Sequence, residues 1–334
     1  MKKSLTFGIA VAFALVICAG PAFAAVEWPE KWWPSKWGAG DEKGSFNTVT
    51  PRSVMKALKV PKTGKVYRLG RIYKQGMPLF GNRSYALHIP GLPAGGPLGD
   101  NQIVWNDEFI IGELGQVGTQ FDGPGHVGIM GKDGKMRWYN GVELAKMENV
   151  YGFQKLGVEK LGPCVGRGVL IDMVGLLGRN MRLGEAILVK HIKQACKKSG
   201  VALPGEGDIV VFNTGWGDYW TEPAKFNAGC PGFGWEAAKW LVKRNVAMTA
   251  GDTWPVQQIP EQILVGGKLV KDEKGAFAIH NYMQTVHGVW NLENLHTSVM
   301  NQMARDGTYE FLFIYIPVPF WGATGSPGEA IAIK

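Results

Sequence analysis

The sequence predicts a single-domain, mixed α/β protein, rich in strands with several packed helices. Three observations carry that expectation. Short runs dense in β-branched and aromatic residues recur along the chain, at Lys65 to Tyr73, Gln102 to Leu114, Gly168 to Val174, Asp208 to Thr214 and Glu310 to Val318. Helical stripes stand between some of them, without a regular β-α alternation. No repeat, low-complexity tract or linker divides the chain into composition blocks.

The elements follow in order. Lys2 and Lys3 precede an apolar run from Leu5 to Ala19, and Ala22-Phe23-Ala24 is a small-x-small cleavage pattern. Residues 1–24 therefore read as a secretory signal peptide, leaving one domain over 25–334 in a periplasmic or secreted protein. Ile17 before Cys18 argues against a lipoprotein, which needs a small residue there. The stretch E-W-P-E-K-W-W-P-S-K-W-G, from residue 27, reads as an extended arm whose rings cover something apolar. Pro51 to Val60 is expected to be a short helix capped by Thr50. Gly184 to Lys198 is a helix stopped at Gly200, Trp235 to Arg244 carries a stripe of Ala238, Leu241 and Val242, and Leu292 to Arg305 forms a last helix before Gly307.

Composition bounds the function. The chain has 334 residues, 46% hydrophobic and 19% charged, enough for a sizeable core. Its formal charge of +8 falls to +6 once Lys2 and Lys3 are removed. The basic residues are dispersed and form no nucleic-acid module, so the surplus points at most to small anionic partners. Beyond the leader, nothing in the sequence is long and apolar enough to span a membrane as a helix. Cys164, Cys196 and Cys230 allow at most one internal disulfide, which excludes a disulfide-framed fold.

The chemistry concentrates in two segments. In G-Q-V-G-T-Q-F-D-G-P-G-H, residues 115–126, an extended chain would set Gln116, Gly118, Gln120 and Asp122 on one face. Gly123-Pro124-Gly125 would then turn His126 back toward Asp122. Such oxygen and nitrogen donors suit a divalent metal, an ordinary polar strand face being the alternative. The G-x-G-x-x-G inside this stretch follows no apolar strand of the kind a dinucleotide site needs. The second segment, residues 280–296, holds His280, His287, Glu293 and His296, half of the six histidines. Three histidines with a carboxylate favour a metal site more than any lone histidine would. His287 and His296 read as supporting or purely structural, His88 and His191 as structural, His191 facing solvent. No G-x-S-x-G elbow is present, and Cys164 carries no mark of a catalytic thiol.

Together these segments resemble the cyclase-type metal-dependent hydrolases, which include bacterial kynurenine formamidase and isatin hydrolase. The family signature H-x-G-T-H-x-D-x-x-x-H stands here as Gln116-Val-Gly118-Thr119-Gln120-Phe-Asp122-Gly-Pro-Gly-His126. W-G-A-G-D-E-K-G-S-F-N at 37–47, G-R-G-V-L-I-D at 166–172, G-D-I-V-V-F-N-T-G-W at 207–216, E-N-L at 293–295 and G-A-T-G-S-P at 322–327 extend the resemblance over nearly the whole mature chain. It implies a swivelling β/β/α domain, assembled as a homodimer or larger. It also implies Asp122, His280 and Glu293 as metal ligands, with Gln116 and Gln120 in the places of the two signature histidines. His126 would be the acid–base group.

An amide oxygen is a weaker zinc ligand than imidazole, so the implied cofactor is a divalent metal, zinc first and manganese second, held less tightly. The glutamine pattern is similar to the branch containing trans-dienelactone hydrolase. The expected reaction is hydrolysis of a small, planar, anionic lactone or amide by a metal-activated water, with His126 moving the proton. An aryl formamidase and a periplasmic binding protein without turnover are the rival expectations. Trp105 or the Trp28 to Trp37 segment could stack on substrate and Arg83 pair with its carboxylate, core packing and solvation being their ordinary fates.

Overall fold

Several of the strand-rich runs of the sequence form the centre of the molecule. The structure is a computed structural model that describes residues 29–265, 268–271 and 276–334. The expected signal peptide, residues 1–24, and Trp28 lie outside the described residues. The main sheet consists of β1 (Val66–Arg68), β2 (Gln120–Asp122), β3 (Cys164–Asp172), β4 (Ile209–Asn213), β5 (Met248–Gly251), β6 (Trp290–Glu293), β7 (Glu310–Pro317) and β8 (Gly325–Ile333). Their order is β1-β8-β7-β3-β4-β5-β6-β2, and β2 also pairs with β8. Seven strands thereby close into a barrel, which β1 flanks.

β3 to β6 run parallel, whereas β7, β8 and β2 join them antiparallel. Parallel strands covered on both faces must be apolar on both, which is why β3 and β4 show no alternation. On one face Leu170, Val211, Ala250 and Leu292 meet Phe121, Phe313 and Tyr315. On the other, Val169, Ile171, Val210 and Phe212 pack with residues of two helices, Val189–Ser199 and Trp235–Lys243. Gly168 stands opposite Phe311, where an added Cβ would lie 2.1 Å from the ring. The small residue lets β3 and β7 approach.

Several expectations shift by a few residues. The first helix spans Pro51–Ala57, with Thr50 and Ser53 closing a capping box. The helix expected from Gly184 begins at Val189, because Ala186–Ile187 is first drawn into a parallel pair with Gly232–Phe233. It ends at Gly200 in left-handed conformation, as expected. The helix expected from Leu292 begins at Thr297. Leu292 lies in β6, and Asn294 at φ 59° turns the chain out of that strand. The parallel strands are joined by helices interleaved with short strands, among them Ala186–Ile187, Gly232–Phe233 and the hairpin of Gln262–Val265 with Lys268–Lys271, so the alternation is irregular, as read from sequence. Gln102 to Leu114 splits into two strands: Ile103–Trp105 pairs with Gly95–Leu98, and Phe109–Gly112 with Tyr85–His88. These hairpins form an arm outside the barrel sheet.

Candidate metal centre

The register of β2 assembles the centre. Gln120 pairs with Glu293 and Asp122 with Asn291 across β6, and Gly325 of β8 faces Asp122 from the other side. Cross-strand neighbours sit close enough to touch, and Gln120 Nε2 donates to Glu293 Oε2 at 2.5 Å. The extended conformation expected from Gln116 onward is confined to Gln120–Asp122. Gln116 and Gly118 have φ of 61° and 62°, so a left-handed turn brings Gln116 back over the strand. Gln116 Nε2 then donates to Asp122 Oδ1 at 3.2 Å. Gly118 is required there, since a Cβ would lie 2.5 Å from the Tyr73 ring. The convergence read from the sequence holds, by a turn in place of strand parity.

Gly123 to Gly125 turns the chain as expected. His126 N donates to Gly123 O at 3.0 Å, and its Nε2 comes to 3.7 Å from Asp122 Oδ1. His280 arrives from a helix that opens at Ala278–His280 and widens to π geometry over Asn281–Val286. Its Nε2 stands 2.9 Å from Asp122 Oδ2 and 3.8 Å from Glu293 Oε1. Asp122, His126 and His280 offer ligand atoms that all lie within 4.8 Å of one another.

Electrostatics sharpen the picture. Burial alone would raise the Asp122 carboxyl, but His126 and His280 outweigh it and hold it well below the usual carboxylate range. Burial and then the Asp122 charge push Glu293 well above its ordinary value. Burial lowers His126, against the pull of Asp122, which favours the neutral imidazole.

A divalent cation fits these residues. Gln257 Nε2 donates to Glu261, so Gln257 turns its Oε1 to His280 Nδ1 at 2.6 Å. With the Gln257 oxygen on Nδ1, His280 donates there, and its Nε2 faces the Asp122 carboxylate across 2.9 Å, a gap that a proton or a cation must fill. Gln120 Oε1, Glu293 Oε1 and Gln284 Oε1 are buried without a hydrogen-bond partner, the signature of oxygens left for an ion.

The centre opens into a cavity of about 380 Å³. Phe80, Trp254, Phe277 and Arg83 line it, with Gln116, His126, His280 and Glu293 among the polar groups. Phe80 stacks on Trp254 with centroids 4.4 Å apart. Trp105, expected as a possible stacking surface, lies on the arm, 41% exposed, and does not line this cavity. Trp32, Trp33 and Trp37 line a different cavity. His287 packs against Tyr282, and His296 approaches Ser298 at 3.1 Å, so neither supports the centre directly. His191 is half-buried, its Nδ1 accepting from Leu188 N at the start of its own helix, which corrects the solvent-facing expectation. Sequence reasoning missed Gln257, Gln284, Phe80, Trp254 and Phe277. W-P-V-Q-Q-I-P at 254–260 carries no ligand spacing that would have marked Gln257.

No curated protein matches this chain. Among solved structures, one described as a novel cyclase is 28% identical, with a TM-score of 0.76, covering 90% of this chain and 98% of that one. Isatin hydrolase A from Ralstonia solanacearum is 20% identical, with a TM-score of 0.56, over 81% of this chain and 92% of that one. Isatin hydrolase A from Labrenzia aggregata, bound to benzyl benzoate, is 19% identical, with a TM-score of 0.55, over 80% and 93%. Both isatin hydrolases share the fold. The cyclase sequence profile matches residues 67–258, more than half of the chain and inclusive of Gln116 to His126, and on that match this protein belongs to the cyclase family.

Proposed function

We propose that this protein is a metal-dependent hydrolase that opens a small, planar cyclic ester or amide, with trans-dienelactone as the first candidate. The observation that carries the reading is the cluster of Asp122, His126 and His280, with Glu293 beside it, against an aromatic-walled cavity that His126, His280 and Glu293 line. Asp122, His280 and Glu293 would hold the ion, and Gln120 Oε1 is placed to help. When bound, a divalent cation, zinc first and manganese second, supplies Lewis acidity and an ionisable water near neutral pH.

The chain's own residues do the rest. Asp122 stays ionised, and Gln116 steadies it through the amide N–H. Burial favours a neutral His126, a form able to take a proton from the attacking water and return it to the leaving oxygen or nitrogen. Phe80, Trp254 and Phe277 present apolar surface to a flat substrate and exclude water. Arg83, half-buried at the same cavity, offers a cation to a substrate carboxylate.

The test is turnover by purified protein of residues 25–334 on a panel of dienelactones, isatin-like lactams and aryl formamides. Lactone hydrolysis that EDTA abolishes and added zinc restores supports the proposal. Preference for aryl formamides transfers the reading to a formamidase. Ligand binding without turnover after metal reconstitution sinks it in favour of a binding protein. The same reading takes 1–24 as an export signal, which fractionation of expressing cells checks by placing the mature chain outside the cytoplasm.

A further inference from the structure

The Trp- and Pro-rich segment, described from Pro29, encloses a second cavity. The sequence predicts that this segment covers something apolar, and beneath it lie Val242, Val246, Val286 and Val289. It is pinned along one edge, where Trp32 Nε1 donates to Trp138 O at 3.0 Å and Ser35 N donates to Asn140 Oδ1 at 2.7 Å. The cover is incomplete. Between the segment and the valines stands a cavity of about 500 Å³, larger than the one at the metal centre, and the two share no lining residue. Clefts of about 300–1,000 Å³ are the size that takes small molecules. One helical turn separates the two sites. His280 and Gln284 reach Asp122 from it, whereas Tyr282, Val286 and His287 face the second cavity.

The walls define the ligand. Trp32, Trp33 and Trp37, each half-buried, offer aromatic faces on which a flat ring can stack, and Tyr282 adds another. Lys36 supplies positive charge. Its Nζ lies 4.3 Å from the Trp37 ring centroid and donates one N–H to Asn245 Oδ1 at 2.5 Å, leaving two. No Asp or Glu lines the cavity, and Glu206, which attracts Lys36, stands outside the lining. Among the described residues, neither Tyr282 Oη nor a His287 ring nitrogen has a hydrogen-bond partner. His287 is close enough to Lys36 for that charge to disfavour its protonation, so an anion held here meets both. Sugars also stack on indole rings, but their hydroxyls call for carboxylate acceptors, which this lining lacks. A cationic ligand would be repelled by Lys36.

We propose that this cavity is a binding site for a small aromatic carboxylate, separate from the metal centre. The ring lies between the tryptophans and the valines. The carboxylate accepts from Lys36 Nζ, the Tyr282 hydroxyl and a His287 N–H.

The test is calorimetric titration of indole-3-acetate into purified protein of residues 25–334, stripped of metal with EDTA, near neutral pH. Binding needs neither the metal nor turnover, so its failure and that of the hydrolase reading are distinguishable. The probe should bind at one site per chain with a dissociation constant of about 0.1 mM or tighter. Indole-3-acetamide, the uncharged analogue, should bind at least tenfold more weakly. Lys36→Glu should weaken indole-3-acetate at least tenfold, and Val242→Trp, which fills the cavity, should abolish its binding, both with an unchanged circular dichroism spectrum. Lys36 is exposed, so its variant decides alone should Val242→Trp fail to fold. Arg83→Gln, at the other cavity, should bind the probe as the native chain does. Absence of binding at about 2 mM probe overturns the proposal, and so does equal affinity for the acetamide. Binding lost in Arg83→Gln and kept in Lys36→Glu would place the probe at the metal centre and overturn it too.

Discussion

His280 Nε2 stands 2.9 Å from Asp122 Oδ2, joining the helical turn that leads into the π segment to a barrel strand across 158 residues of sequence. Gln257 Oε1, 2.6 Å from His280 Nδ1, fixes which nitrogen faces the carboxylate. Removing such an orienting partner commonly costs 10–100-fold in metal affinity or activity. Gln257→Leu should therefore weaken metal binding by about that factor and leave the fold intact. His280→Ala and Glu293→Gln should go further and lose the metal. Elemental analysis after dialysis against a competing chelator reads both. Full metal occupancy in His280→Ala would show that the ion is held elsewhere.

The two glutamines enter the centre as donors to Asp122 and Glu293, where the family signature has imidazole. Gln120 also keeps a buried, unpartnered Oε1. Imidazole binds zinc better than an amide oxygen does, so Gln116→His with Gln120→His should raise zinc affinity by about tenfold or more. Titration against a chelating dye checks this. A double variant that binds zinc no better would mean that neither side chain reaches the ion.

His126 lies 3.7 Å from Asp122, beside the cavity, and is less buried than His280. A proton-transfer role predicts that His126→Ala keeps its metal and loses about 10²–10⁴ in kcat. The measurement pairs metal content with initial rates. Loss of metal in this variant would make His126 a ligand, and an unchanged rate would remove it from the reaction.

How far the sequence reaches is clear from these same residues. Gln116, Gln120, Asp122 and His126 lie within one short stretch, so their convergence is a local property and could be read directly. His280 and Glu293 were legible through their composition and the family pattern. What placed them was strand register, Gln120 opposite Glu293 and Asp122 opposite Asn291, which no local rule supplies. Gln257, Phe80 and Trp254 come from loops with no periodicity of their own, and only tertiary packing turns them to the site. In the fold, the expected strands Gly168 to Val174 and Asp208 to Thr214 overlap the observed Cys164–Asp172 and Ile209–Asn213, because burial on both faces leaves a run of apolar residues in each. Helix starts were misplaced where a short strand or a left-handed Asn intervened. Trp105 stands on the arm, and the sequence alone does not distinguish an aromatic there from one facing the cavity.

His287 packs edge-on against Tyr282 with centroids 4.5 Å apart. Burial, with a smaller push from the Lys36 charge, lowers its pKa from 6.5 to about 4. The folded state thus favours the neutral ring, while the unfolded chain takes up a proton near pH 6.5. The sign follows: the stability associated with a neutral His287 is complete above about pH 6.5 and declines as the pH falls toward 4. His287→Gln removes that titration. Its Tm should fall less than that of the native chain between pH 6.5 and 4, the difference corresponding to about 1–2 kcal/mol after allowance for partial exposure. Thermal melts of both proteins across that range provide the comparison. Parallel pH profiles would mean that His287 is protonated as readily in the folded state as in the unfolded one.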